Sequence, residues 1–166
     1  MKILLLYCLL FNPICQSLED GWKGIKPLIT NRESVEKVLG KGEIDNNGYY
    51  NYRSVEAFVQ VNYSTSPCVE NQYGRGKYKI PAETVLGYKL SPKNLSLLSA
   101  INARFERYRK DTSGDLDGGY TLRNSEDGVA IEVETQGDVE YFGGAIFGPS
   151  KKAAAEFQCN KDSKER

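Results

Sequence analysis

Residues 55–63 alternate strictly. Val55, Ala57, Val59, Val61 and Tyr63 are separated by Glu56, Phe58, Gln60 and Asn62. Successive side chains of an extended strand point to opposite faces, so this pattern demands a sheet with one face buried. Three of the inward candidates are β-branched valines, which suit a pleated surface better than a helix. A lone strand is unstable, and the rest of the chain supplies partners. Segments 49–52, 84–90, 120–123, 129–135 and 139–142 are short, rich in Val, Ile, Leu and Tyr, and bounded by turn residues. Asp45-Asn46-Asn47-Gly48, Asp127-Gly128 and Gln136-Gly137 are tight-turn signals, and tight turns join antiparallel neighbours. Segments 120–142 therefore read as a three-stranded meander.

Helices are few in this pattern. Thr30-Asn31-Arg32-Glu33 has the form of a capping box, Val35, Val38 and Leu39 follow at helical spacing, and Gly40 supplies a stop. A helix is predicted over 31–39. Leu98, Ile101, Phe105 and Tyr108 fall on one helical face, so 95–108 reads either as a second helix or as local β structure. Pro149 opens a short Ala-rich helix over 150–157. The fold class that follows is α+β, an antiparallel β-sheet with one or two short helices packed on one face. Residues 45–63 and 117–135 share an Asp/Gly turn, a Tyr-led strand, a polar turn and a valine-type strand. That echo adds the expectation of two similar α/β halves, 18–90 and 91–159.

The N-terminus reads as an address. Met1-Lys2 precedes an apolar run over 3–11, too short to span a bilayer, and Asn12-Pro13 breaks it. Cys15 and Ser17 occupy the −3 and −1 positions of a signal-peptide cleavage site, giving a signal peptide over 1–17. A lipid-bearing Cys15 would want a small residue before it, and Ile14 is not one. The expectation is therefore one exported domain over 18–159, periplasmic or secreted, with a polar tail at 160–166 and no stable membrane span. Cleavage removes Cys8 and Cys15, leaving Cys68 and Cys159 as an even pair in an oxidising compartment. A structural disulfide is predicted, since neither Cys has a C-x-x-C partner or a local positive cluster.

Composition narrows function further. There is no His, which removes Ser-His-Asp triads, Cys-His dyads and His-ligated zinc or haem. The 22 basic residues balance 22 acidic ones, and losing Lys2 leaves the exported chain at −1. Nucleic-acid binders normally carry a basic excess, so no nucleic-acid partner is expected. The basic cluster at Arg104, Arg107, Arg109 and Lys110 is interrupted by Glu106 and Asp111 and reads as charge near a helix C-terminus.

Trp22-Lys23-Gly24-Ile25-Lys26-Pro27-Leu28, continued by Thr30-x-Arg32-x-x-Val35-Glu36-x-x-Leu39-Gly40, resembles the opening motif of a family of small exported bacterial proteins of unknown function. The resemblance continues through Val59-x-Val61-x-Tyr63-Ser64, Cys68, Ile80-Pro81-x-x-Thr84-Val85, Pro92 and Asn124-Ser125-Glu126-Asp127-Gly128 to Cys159. It implies export and no particular activity. The helix at 30–40 followed by strands also resembles, at the level of fold, the small outer-membrane-assembly lipoproteins and the β-lactamase-inhibitor proteins. A fold-level likeness licenses no function.

Candidate sites are sparse. Asp111, Asp115 and Asp117 with Glu126 follow the start of a calcium loop, but Gly119 and Tyr120 stand where a ligand and the turn glycine belong, so no metal or cofactor is expected. Glu132 and Glu134 share one face of a strand and, with Asp115 and Asp117, are the nominees for a carboxylate-based envelope hydrolase. Ten of the eleven Tyr follow residue 17, and Tyr49, Tyr50 and Tyr52 are the candidate binding residues, a platform for a sugar, a peptide or a protein. Trp22 is expected to plug the edge of the core. The leading expectation is a non-catalytic exported binding or envelope-assembly module whose partner is an envelope or extracellular protein or peptide.

Overall fold

The computed structural model describes residues 17–70, 76–113 and 118–159. The alternating segment forms β3 (Ala57–Tyr63), whose Ala57, Val59, Val61 and Tyr63 are buried while Phe58 is exposed. Val55 stays outside the strand. Ser54 Oγ accepts the N–H groups of Glu56 and Ala57, turning the chain before the ladder begins.

β3 lies within a nine-stranded antiparallel sheet. The strands are β1 (Glu43–Ile44), β2 (Tyr50–Arg53), β3, β6 (Val85–Pro92), β7 (Ser96–Leu97), β8 (Arg109–Asp111), β9 (Gly119–Asn124), β10 (Val129–Gln136) and β11 (Val139–Phe147). Across the sheet the order is β1-β2-β3-β6-β11-β10-β9-β8. Thus one four-stranded group, β1-β2-β3-β6, abuts a second, β11-β10-β9-β8, along the β6–β11 seam. β7 lies beside β11 in line with β6. β4 (Val69–Glu70) and β5 (Lys77–Tyr78) form a separate hairpin.

Two bulges correct the facing of the central strands. Asn62 pairs with Gly87 but Tyr63 with Val85, so Leu86 is an extra residue on β6. Val85, Tyr88 and Leu90 consequently face the main core, and Leu86 is turned to a second cluster with Leu28, Tyr78, Ile80 and Ala153. On β11, Glu132 pairs with Gly144 but Val133 with Phe142, which makes Gly143 the extra residue. Phe142, Ala145 and Phe147 then all face inward.

The inner face is roofed by Leu18, Trp22, Ile25, Val35, Leu98 and Ile101. Val35 belongs to α1 (Arg32–Leu39), which has one fully buried side chain and leaves Val38 exposed. The cap differs from the capping-box reading. Thr30 Oγ1 accepts Lys26 N–H, so it closes the preceding turn, and Asn31 Oδ1 caps the helix by accepting Ser34 N–H at 2.9 Å. Gly40, at φ 84°, ends it. α2 (Lys151–Phe157) is capped by Ser150 and packs Ala153 into the second cluster, so the two helices serve different clusters.

Of the two readings of 95–108, the helix does not form and β structure is limited to Ser96–Leu97. That stretch holds β7 and two 3-10 turns, Leu98–Ala100 and Phe105–Arg107. Leu98 and Ile101 are buried and Phe105 and Tyr108 pack against the core, so the spacing recorded burial rather than helix. The backbone finds its partners in the N-terminal segment. Asn102 C=O accepts Leu18 N–H at 3.2 Å, and Arg104 N–H donates to Glu19 Oε1 at 2.9 Å.

Cys68 and Cys159 are disulfide-bonded, with Cα atoms 5.9 Å apart. Lys79 N–H and Phe157 C=O bond at 2.7 Å, and Cys159 N–H donates to Lys77 C=O at 2.8 Å, so the C-terminal stretch after α2 lies along the β4–β5 hairpin. The bridge closes a separation of 91 residues. In the chain-entropy view, replacing both Cys68 and Cys159 by Ser costs about 4 kcal/mol. Urea unfolding should show the midpoint falling while the slope rises, because the unbridged unfolded chain is less compact and exposes more surface, and an unchanged midpoint contradicts a stabilising bridge.

Candidate functional site

The Tyr-led strand shows what its alternation does in context. Tyr50 pairs with Val61 and Tyr52 with Val59, so both rings take the inward side that those valines occupy. Tyr52 is only 1% exposed. Its hydroxyl shares a 2.8 Å hydrogen bond with that of Tyr63, and Tyr50 meets the Tyr63 ring edge-on at 5.2 Å. The Arg32 guanidinium lies 4.2 Å over the Tyr50 ring and donates to its hydroxyl at 2.9 Å. It also pairs with Glu36 and Glu83. Tyr50 thus braces α1 against the sheet through Arg32, and Tyr52 ties β2 to β3 through Tyr63. Tyr49 sits at the β1–β2 turn, its N–H held by Asp45 Oδ1 at 3.0 Å. Tyr50 and Tyr52 thus turn toward the core side of the sheet.

Of the carboxylate nominees, Glu132 and Glu134 stand on the outer face of the sheet. Glu132 Oε1 accepts from Lys89 Nζ at 2.9 Å on the outer face of the sheet. Glu134 is exposed one step further along the same face, over the space left by Gly143. Asp115 and Asp117 lie outside the described residues. Among the described residues no group of three or more His, Cys, Asp or Glu could hold a metal ion. No helix of the described residues is long and apolar enough to cross a membrane.

A concave apolar feature lies elsewhere, where β3 begins and β6 ends. A cavity of about 320 Å³ opens between sheet and roof, lined by Leu18, Trp22, Ala57, Leu90, Pro92, Ile101 and Phe142. Val55, Glu56, Asn94 and Ser96 form its remaining wall. Lys23 Nζ bonds Glu56 at 3.0 Å and lies 5.0 Å over the Trp22 ring, tying the N-terminal segment to the β2–β3 turn. Val55 is 91% exposed, and Leu95 and Leu97 are exposed nearby in sequence on the segment that includes β7. A second hollow of about 520 Å³, lined by Leu97, Leu98, Phe105, Leu122 and Val139 together with Tyr120 and the polar Ser99, Asp138 and Glu140, adjoins the Ser96–Leu97 strand. Several apolar side chains with few polar groups suit binding by burial of an apolar group.

Trp22 was legible as an edge plug, and it does line the core's open side. Val55 reads in the sequence as a strand residue and Leu95 as part of a helix or local β structure, and their exposure depends on the turn at Ser54 and on the backbone partners of 98–104. No protein-family model, curated protein or solved structure matches the chain.

The phenols around this core are held protonated. Burial, and secondarily the Glu140 carboxylate accepting its hydroxyl at 2.6 Å, push Tyr120 up to about 12. Burial also raises Tyr52, Tyr63, Tyr78, Tyr88 and Tyr108. A phenol whose folded value exceeds the unfolded value of about 10 keeps its proton in the folded state while the unfolded chain has lost it. Their contribution to stability is whole below about pH 10 and declines as pH rises toward and past each folded value. Absorbance titration at 295 nm should therefore show these tyrosines ionising only with cooperative unfolding above pH 10. A smooth titration of every tyrosine near pH 10, with the fold intact, contradicts their burial.

Proposed function

We propose that the chain is an exported, non-catalytic binding or assembly module, and that its open end receives an apolar stretch of an envelope or extracellular protein or peptide. The observation that carries this reading is the apolar cavity beside Trp22 with exposed Val55 at its wall. An apolar side chain left in water at a cavity mouth is stabilised when a partner covers it. Export is supported by the signal-like residues 1–17 and by the Cys68–Cys159 bridge, a type of bond that persists in oxidising compartments. The carboxylate-hydrolase alternative gains no support from Glu132, which is engaged by Lys89, or from the open face on which Glu134 stands.

The reading includes two halves of similar plan. Tyr52, Val59 and Leu90 form one row across three strands, and Leu122, Ile131 and Ala145 form the corresponding row in the other group. Leu90 and Ala145 pair with each other at the seam, as a local two-fold requires. Each group's innermost strand carries a bulge with a glycine in or beside it.

Trp22 is the only Trp in the chain, so its emission reports on the cavity alone. Titrating the mature protein with a Leu/Phe-rich decapeptide should give a saturable change in that emission. Val55→Asp, at a position exposed enough to leave folding intact, should weaken the response about tenfold, the effect of losing roughly 1.5 kcal/mol of apolar burial. A peptide that leaves Trp22 emission unchanged, or binds the variant equally well, overturns the proposal.

A further inference from the structure

The opposite face of β2, β3 and β6 carries a second, chemically different surface. Register places six outward side chains in two rows: Arg53–Phe58–Ser91 and Asn51–Gln60–Lys89. They line a shallow groove of about 310 Å³ floored by the backbone of Tyr52 and Val59. Phe58 stands at the middle of its row and is 48% exposed, a large phenyl group with no place in the core. Lys93 Nζ lies 5.3 Å over its ring.

The polar groups of the groove are ordered. Asn51 Nδ2 and Gln60 Nε2 both donate to Asp45 Oδ2, at 3.2 and 3.3 Å, and Gln60 Nε2 also reaches Asn51 Oδ1. With both amide nitrogens committed, Gln60 Oε1 is left as an acceptor. Lys89 is paired with Glu132. Arg53 has no ion-pair partner among the described residues, although it is exposed on the same face. Among the described residues neither Arg53 nor Lys93 has an ion-pair partner, so two cations flank an exposed aromatic ring, beside an acceptor and a hydroxyl.

We propose that this groove binds a carboxylate-bearing saccharide, of the uronic-acid class. A sugar ring offers a C–H face to Phe58 and hydroxyls to Gln60 Oε1 and Ser91. Its carboxylate matches the planar fork of Arg53, with the exposed Lys93 chain able to swing onto it. Neutral sugars satisfy only the ring and hydroxyl contacts. Acidic peptides satisfy only the charges. The combination of aromatic face, acceptor and guanidinium selects the acidic sugar, and charge complementarity sets its sign.

Isothermal titration of the full mature protein with tetragalacturonate, at low and at moderate salt, tests the proposal. Saturable binding is expected, with affinity at least about tenfold lower for the methyl-esterified tetramer, which keeps the rings and removes the charge. Arg53→Gln and Phe58→Ala, both at exposed positions, should each weaken binding by about tenfold. Lys37→Gln, on the exposed side of α1, should leave it unchanged and so controls for general charge. Absence of saturable binding overturns the assignment. Equal affinity for the methyl ester or for a tetraglutamate peptide, or binding indifferent to both Arg53→Gln and Phe58→Ala, overturns it as well. Because none of these variants touches the Trp22 cavity, failure here is distinguishable from failure of the apolar-end reading.

Discussion

The antiparallel pairing of β6 with β11 holds the molecule together. Only three residue pairs make the seam, Tyr88–Phe147, Lys89–Ile146 and Leu90–Ala145. Their quality offsets their number. The Tyr88 and Phe147 rings stack at 4.3 Å and 10°, worth about 0.5–1.5 kcal/mol beyond the area they bury. The Tyr88 hydroxyl accepts Trp22 N–H at 2.9 Å and donates to Ile25 C=O at 3.0 Å, so one side chain joins seam and roof. Beside the seam, a Cβ on Gly144 would stand 2.7 Å from Leu90 C=O, an approach only glycine permits. Without the seam, each four-stranded group would present an apolar edge strand to water or to another chain.

From that seam outward, two-residue alternation distributes chemistry between faces. Inward positions collect Tyr52, Val59, Val61, Ile131 and Val133 into a core, while outward positions on the same strands collect Asn51, Arg53, Phe58, Gln60 and Glu132. The bulges at Leu86 and Gly143 reset the alternation where an unbroken strand would turn Val85 or Phe142 away from the core. The two candidate surfaces therefore have different origins. The apolar cavity exists because the roof leaves the ends of β3 and β6 uncovered, and the polar groove is the wet reverse of the core strands.

Much of the fold was legible in the residues. Strict alternation located β3, the Asp-Gly and Gln-Gly turns located the β9–β10–β11 meander, and Pro149 with Ser150 located α2. The Cys68–Cys159 pair followed from the signal-like reading of residues 1–17, which leaves an even count of two. The segment 95–108 misled because buried positions spaced by three or four residues do not report what satisfies the backbone. There the partners are Leu18 and Glu19, more than eighty residues away in sequence. The candidate site was harder to read. Tyr50-Asn51-Tyr52-Arg53 says that the tyrosines share a face, but which face is wet depends on pairing with Val59 and Val61. Residue type suggested an exposed aromatic platform, and register placed Asn51 and Arg53 on the outside. Phe58, the aromatic that is exposed, looked like an interruption in the alternation.

The central claim is that one cooperative sheet, closed by the β6–β11 seam, positions both surfaces. Native-state hydrogen exchange across the protein tests it most directly. If the seam is the keystone, the hydrogen-bonded amides of β6 and β11 exchange last, at the free energy of global unfolding, together with those of β3 and β10. If the seam amides exchange while either four-stranded group keeps its protection, the groups are independent units and the account is wrong.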